Sequence, residues 1–223
     1  MKISGAIFDL DDTLTYSEHI WEGIPQMFLK RHGKVAEEDI DRKIINLNTA
    51  QIGEYFKEHY FQDSKRTAKS IVTEFGIMGA PYYLFKVPLM PGTKKLVKQL
   101  YKQGVTMTIL TANERHLVRA ALRRLGILKY FDSIRCGSDP ENAKSNPKSF
   151  ENALAALGTP KEETFVFEDS LYAIETATAA GFKCIAMQSA KHSPETIARF
   201  HELCEYVVTD YTELLDILEG PKA

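Results

Sequence analysis

The sequence is short of the features that mark a special environment. Its three cysteines, Cys136, Cys184 and Cys204, lie far apart, and none belongs to a CxxC pair. That pattern excludes a disulfide-stapled framework and a cysteine-built zinc site, and fits small buried thiols in a reducing compartment. No apolar run approaches the length of a membrane span. The run that opens the chain meets acids after eight residues, too soon and with the wrong ending for a signal peptide. A cytoplasmic protein with no membrane partner is expected. Charge of one sign is also lacking: 28 Lys plus Arg stand against 30 Asp plus Glu, a net charge of -2, which leaves no electrostatic footprint for nucleic acid. There is no internal repeat, low-complexity tract or long charge run. What remains is 223 residues, 44% of them hydrophobic, enough for one large domain or for a core with a smaller partner.

Short apolar runs without helical period recur at Ile3 to Phe8, Val105 to Leu110, Thr164 to Phe167, Lys183 to Met187 and Tyr206 to Val208, with a weaker one at Ser133 to Cys136. Each reads as a buried strand. Between them lie helical stripes, such as Val118, Ala121, Leu122 and Leu125, or Phe150, Ala153, Leu154 and Leu157. Gly126, Gly158 and Gly181 stand as helix stops. Strand and helix alternate from about Pro91 to the end, which predicts an α/β core, a parallel sheet with helices on both faces. The stretch from Tyr16 to Pro88 departs from this. It is helical and aromatic, with stripes at Ile20, Ile24, Met27 and Phe28 and at Ile52, Tyr55, Phe56 and His59, and a third helix over Ile71 to Phe75. Lys30-Arg31-His32 reads as a solvated helix end. The simplest account is a core of residues 1–15 and 89–223 interrupted by an inserted helical domain, residues 16–88.

The candidate chemistry lies where strands end. After the first run come Asp9 and Asp11, two positions apart and so on one side of an extended backbone. Two such acids repel each other, and a hard cation such as Mg²⁺ would relieve the repulsion. Open α/β sheets bind ligands beyond the carboxyl ends of their strands. Thr111, followed by Ala112 and Asn113, closes another strand; a hydroxyl with free amides at a helix start can take an anion, though by itself such a residue reads far more often as a plain cap. Lys144 and Lys148 follow in Lys144-Ser145-Asn146-Pro147-Lys148-Ser149-Phe150, and an ammonium suits phosphate. Glu168 and Asp169 end the strand Thr164 to Phe167.

The segment Phe8-Asp9-Leu10-Asp11-Asp12-Thr13-Leu14-Thr15 resembles the first motif, DxDx[TV], of the haloacid dehalogenase-like (HAD) superfamily. Thr111 matches the second. Lys144, Pro147 and Phe150 keep the spacing of the third, usually K-P-x-P-x-x-F, with Ser145 for its first proline; Lys148 does not keep it. The segment from Glu168-Asp169-Ser170 to Ala180-Gly181 resembles the fourth, E-D-S-x-x-G-x-x-A-A-x-x-A-G, with Ala173 for the first glycine.

The resemblance implies a Rossmann-like, HAD-like core with a helical cap inserted after the first motif, and a Mg²⁺-dependent phosphatase acting on a small phosphorylated metabolite. Asp9 would be the nucleophile and Asp11 the general acid and base, oriented by Thr13. Thr111, Ala112 and Lys144 would hold the phosphate. Asp9, the Asp11 carbonyl and Asp169 would hold the metal, with Glu168 reaching it directly or through water. Dehalogenases of this fold lack an acid at the position of Asp11, which favours phosphotransfer. Tyr16 stands where relatives usually carry an acid. The alternatives are a mutase of the β-phosphoglucomutase type and a non-catalytic phosphate-binding relative. Monomer and homodimer are both compatible. The insert's aromatics, Tyr16, Trp21, Tyr55, Phe56, Tyr82 and Tyr83, serve either its own core or a substrate.

Overall fold

A computed structural model describes residues 2–21, 23–44, 47–136 and 140–219; the other positions of the two expected ranges lie outside the described residues. The chain divides into two compact units, Met1–Tyr16 with Pro88–Ala223, and Ser17–Val87.

The first unit is built on β1 (Gly5–Phe8), β2 (Thr106–Thr111), β3 (Ser133–Cys136), β4 (Thr164–Glu168), β5 (Lys183–Met187) and β6 (Tyr206–Val208). They pair in the order β3-β2-β1-β4-β5-β6, and every pairing is parallel. Parallel neighbours need crossovers, and the alternating helical stripes supply them. β1 and β4 are buried along their whole length, as a sheet covered on both faces requires. On one face Ile7, Leu110, Val166, Cys184 and Ala186 pack with Phe150, Ala153, Ala173, Ile174, Ala177 and Phe200. On the other, Phe8 stacks on Phe167 with centroids 4.1 Å apart, and Phe167 meets Tyr211 edge-on at 6.2 Å. The chain runs outward from β1 through β2 to β3, then restarts at β4 on the other side of β1. The reversal between β1 and β4 is where such sheets leave a crevice at their carboxyl edge.

The Ser17–Val87 unit contains helices α1 (Glu18–Trp21), α2 (Gly23–Arg31), α3 (Ile40–Ile44), α4 (Thr49–Tyr60) and α5 (Ala68–Phe85). α4 and α5 each begin with a capping box, Asn48 with Gln51 and Thr67 with Ser70, so their first free amides are satisfied by neighbouring side chains. The buried residues of α4 are Gly53 and Phe56, with Ile52 and Tyr55 half-buried and His59 exposed. The expected stripe is thus displaced, because Gly53 brings α4 against α5. A Cβ at Gly53 would lie 2.7 Å from the Ala68 carbonyl oxygen, so only glycine permits that approach. Met27 is exposed and does not complete the stripe of α2. Tyr55 and His59 stack on each other at 4.0 Å. The centre is aromatic: Phe28 lies 4.9 Å from Phe75 and 5.5 Å from Phe61, and Phe56 lies 5.1 Å from Phe75. The Lys30-Arg31-His32 segment is not wholly solvated. His32 Nε2 lies 2.9 Å from Glu74 Oε1, and Arg66 donates to Glu74 Oε2 at 2.9 Å.

Candidate active site

Asp9 leaves β1 with its amide bonded to the Phe167 carbonyl at 2.9 Å, so the ends of β1 and β4 stay in register where the acids begin. The chain then folds back: the Leu14 and Thr15 amides and the Thr15 hydroxyl all donate to the Leu10 carbonyl at 2.9–3.0 Å. Within this tight turn Asp12 adopts φ 55°, alone among the described non-glycine residues in having positive φ.

Lys144 is buried and donates to Asp9 Oδ1 at 2.5 Å and to Glu168 Oε2 at 2.8 Å. Lys148 is exposed. Glu168 Oε1 accepts from the Asp169 and Ser170 amides at 3.2 and 3.1 Å, so both Glu168 oxygens are engaged. Asp9, Glu168 and Asp169, all buried, each offer a carboxylate oxygen, and these atoms lie within 4.8 Å of one another. Such a set of hard oxygens fits a divalent cation. Burial, above all, lifts the Asp9 carboxyl well above the usual range; Lys144 opposes this, while Glu168, Asp169 and Asp11 add to it. Burial also works against the Lys144 ammonium, but the facing Asp9 and Glu168 outweigh it and keep the lysine charged. Crowded carboxylates of this kind would be relieved by a cation among them.

Asp11 points elsewhere. Its Oδ2 accepts from Asn113 Nδ2, and the Asn113 amide donates to the Thr111 hydroxyl at 3.2 Å. Thr111 is fully buried at the end of β2, and Ala112 beside it is exposed. The expectation that Thr13 orients Asp11 does not hold: the Thr13 hydroxyl is buried and makes no hydrogen bond. The side chain seen bonded to Asp11 is instead Asn113, whose amide group donates to it.

Sequence reasoning also passed over Lys191. In the loop after β5 its ammonium lies 2.8 Å from Asp12 Oδ2 and 2.9 Å from Asp169 Oδ2. Burial raises the Asp169 carboxyl, but Lys191 outweighs that and holds it below the usual range. The position of Lys191 beyond a strand end was the available signal. A single lysine in a loop otherwise reads as solvated.

The sheet order and this cluster of acids and lysines define a class of α/β hydrolase, and comparison with known proteins specifies it. A model of the haloacid dehalogenase-like hydrolases matches residues 6–187. A pyrophosphatase PpaX of Halalkalibacterium halodurans is 29% identical over 228 residues, covering 100% of each chain. A phosphorylated carbohydrates phosphatase of Thermotoga maritima is 24% identical over 196 residues, 82% of this chain and 84% of that one. The crystal structure of CbbY from Rhodobacter sphaeroides in complex with phosphate shares the fold, with TM-score 0.81 at 21% identity over 95% of this chain and 96% of that one. The chain belongs to the haloacid dehalogenase-like hydrolases, within the phosphatase group of that family. No described helix is long and apolar enough to cross a membrane.

Proposed function

We propose that the protein is a Mg²⁺-dependent phosphatase that hydrolyses a small phosphomonoester through an aspartyl-phosphate on Asp9. The observation that carries this reading is the buried set of Asp9, Lys144, Glu168 and Asp169 at the carboxyl edge of the sheet. Bound Mg²⁺ would screen the negative charge of nucleophile and phosphate as they meet. Asp9, the Asp11 carbonyl and Asp169 would hold it. Glu168, with both oxygens engaged, would serve it through water while holding Lys144.

An Asp9 carboxylate oxygen attacks phosphorus, and the bond from phosphorus to the ester oxygen breaks. Asp11 gives its proton to the departing alkoxide and then takes one from the water that attacks the aspartyl-phosphate. The second displacement releases inorganic phosphate and restores Asp9. Lys144 keeps Asp9 aimed and, with the Thr111 hydroxyl and the Ala112 amide, carries the charge on the equatorial phosphoryl oxygens. Asn113 holds Asp11 in place between the two proton transfers. In this reading the Ser17–Val87 unit is the cap that the family resemblance implies, and substrate selection is its role.

The test is phosphate release from a panel of sugar phosphates, mononucleotides, an aryl phosphate and inorganic pyrophosphate, with and without Mg²⁺. Release that depends on Mg²⁺ is expected. Asp9→Asn should lower it by at least about a thousandfold, since the nucleophile itself is removed. Interconversion of sugar phosphates that outruns release would overturn hydrolysis in favour of a mutase. No release and no interconversion would leave a phosphate-binding relative.

A further inference from the structure

Two lysines divide the acids of this site between them. Lys144, from the segment after β3, joins Asp9 to Glu168. Lys191, from the loop after β5, joins Asp12 to Asp169. Each ammonium therefore links one acid of the turn after β1 to one of the adjacent pair at the end of β4, and they come from opposite flanks of these neighbouring strands. The mechanism above uses only the first clasp.

The second clasp is built into the fold. The Lys191 side chain is 14% exposed, and its ammonium is within hydrogen-bond distance of two carboxylates that are themselves 10% exposed. Burying three charges together is tolerated when they pair in this way. Its partner Asp12 is the residue at φ 55°, a conformation that aspartate adopts only at some cost. Asp11, adjacent to it, keeps its side chain on Asn113 and, in the phosphatase reading, would offer its carbonyl to the cation. A tether on Asp12 fixes the backbone from which Asp11 projects. At the other end, the ammonium occupies Oδ2 of Asp169, leaving Oδ1, which accepts from the Ser170 hydroxyl at 3.3 Å, as the oxygen open to a cation.

We propose that Lys191 is a positioning residue that pins the Asp11 turn to Asp169 and, through its charge, limits how tightly the site holds its divalent cation. The inference rests on the phosphatase reading, because it needs a cation between Asp9 and Asp169. An ammonium touching a ligand carboxylate repels a nearby divalent ion. Without it, one of the two ammonium groups paired with the acids around Asp9, Glu168 and Asp169 is gone, and a divalent ion gains from the difference. The same loss frees the turn, so proton transfer by Asp11 slows even as the cation binds better. A lysine that merely filled space would change neither quantity in this way.

The test uses the full chain with Lys191→Met and Lys191→Arg. Mg²⁺ affinity is read by calorimetry without substrate, and kcat and KM are read at saturating Mg²⁺ on the best ester of the panel. Lys191→Met should bind Mg²⁺ on the order of tenfold more tightly, the effect of one unit charge a few ångströms from the ion. Its kcat should fall on the order of tenfold, with KM changed by less than about twofold. Lys191→Arg, which keeps the charge, should hold Mg²⁺ within about threefold of the wild-type affinity. In an Asp12→Gly background, where the left-handed turn needs no support, the kcat loss caused by Lys191→Met should shrink. Unchanged or weaker Mg²⁺ binding by folded Lys191→Met overturns the charge-limiting role, and unchanged kcat overturns the positioning role. If Lys191→Met does not fold, a Lys191→Arg protein that binds Mg²⁺ markedly more tightly overturns the inference, and one that keeps wild-type affinity supports it. A wild-type protein that binds no Mg²⁺ overturns the phosphatase reading and takes this inference with it; a wild-type protein that binds Mg²⁺ as Lys191→Met does overturns the inference alone.

Discussion

At the carboxyl edge of the sheet, Asp9, Lys144, Glu168 and Asp169 are buried together. In the Ser17–Val87 unit the centre is Phe28, Phe56, Phe61 and Phe75, and the ionic group of His32, Arg66 and Glu74 is only half-buried. Both regions are densely packed, but the first keeps like charges in contact at a cost to stability, while the second gains stability from apolar area. Strain of that kind collects where groups must be held ready for reaction. An aromatic centre with its charges at the rim is what a unit needs merely to hold its shape.

The sharpest way to break the contrast is to remove the cation that balances the buried acids. Lys144→Met leaves Asp9 and Glu168 facing each other in the interior. It should destabilise the protein by about 3–5 kcal/mol, read by denaturant titration, with part of the loss recovered when Mg²⁺ is added. Phe56→Ala should cost a similar or slightly smaller amount, about 3–4 kcal/mol, with no recovery by Mg²⁺. If Mg²⁺ rescues both variants equally, the division between a charged and an aromatic interior fails. Asp9→Asn should act in the opposite direction. It removes one carboxylate from a crowded set, so the melting temperature without Mg²⁺ should rise by about 2–4 °C while activity is lost. A fall would mean that the Lys144 pairing outweighs the crowding.

The smallest effect belongs to the rim of the helical unit. Burial raises the Glu74 carboxyl, but the His32 and Arg66 hydrogen bonds outweigh it, so its folded value is depressed. A depressed carboxyl contributes stability above its unfolded value, about 4.3, and loses it as pH falls through the folded value. Glu74→Gln should therefore lower stability by about 1 kcal/mol or less near neutral pH, and the deficit should shrink below about pH 4. A deficit that grows on acidification would show that the pairing is not what Glu74 contributes.

Most core strands were legible because they are largely apolar runs, and three of them, β1, β2 and β4, end on or lead directly into a motif residue, Asp9, Thr111 and Glu168. β3 was the weakest expectation, since Ser133 and Arg135 alternate with apolar residues and the run lacks the apolar continuity of the others. In the insert, helical period located the helices but not their faces. The inward face of α4 depends on Gly53, which adds nothing to an apolar stripe and acts only by letting a second helix approach. The acids and Lys144 were visible as types in sequence. Asn113 and Lys191 were not, because an amide and an ammonium gain meaning only from what stands opposite them, and their partners Asp11, Asp12 and Asp169 are remote in the chain.

The joints of the insert have a consequence for how this fold can vary. The Tyr16 amide donates to the Pro88 carbonyl at 3.0 Å, the Met90 amide to the Leu14 carbonyl at 3.0 Å, and Thr15 bridges Leu89 in antiparallel fashion. To the sheet, everything from Ser17 to Val87 is a loop whose ends are already closed. Loop closure is forgiving of length, each doubling costing about 0.6 kcal/mol, so residues can be gained, lost or exchanged there without shifting the register of β1 against β2 or β4. Residues of the insert can thus be exchanged while Asp9, Thr111, Lys144, Glu168 and Asp169 keep the places that the sheet gives them. A chain in which a short Gly-Ser turn joins Tyr16 to Pro88 should keep the circular-dichroism signature of the α/β core, and loss of that signature would show that the insert is more than a loop to the sheet.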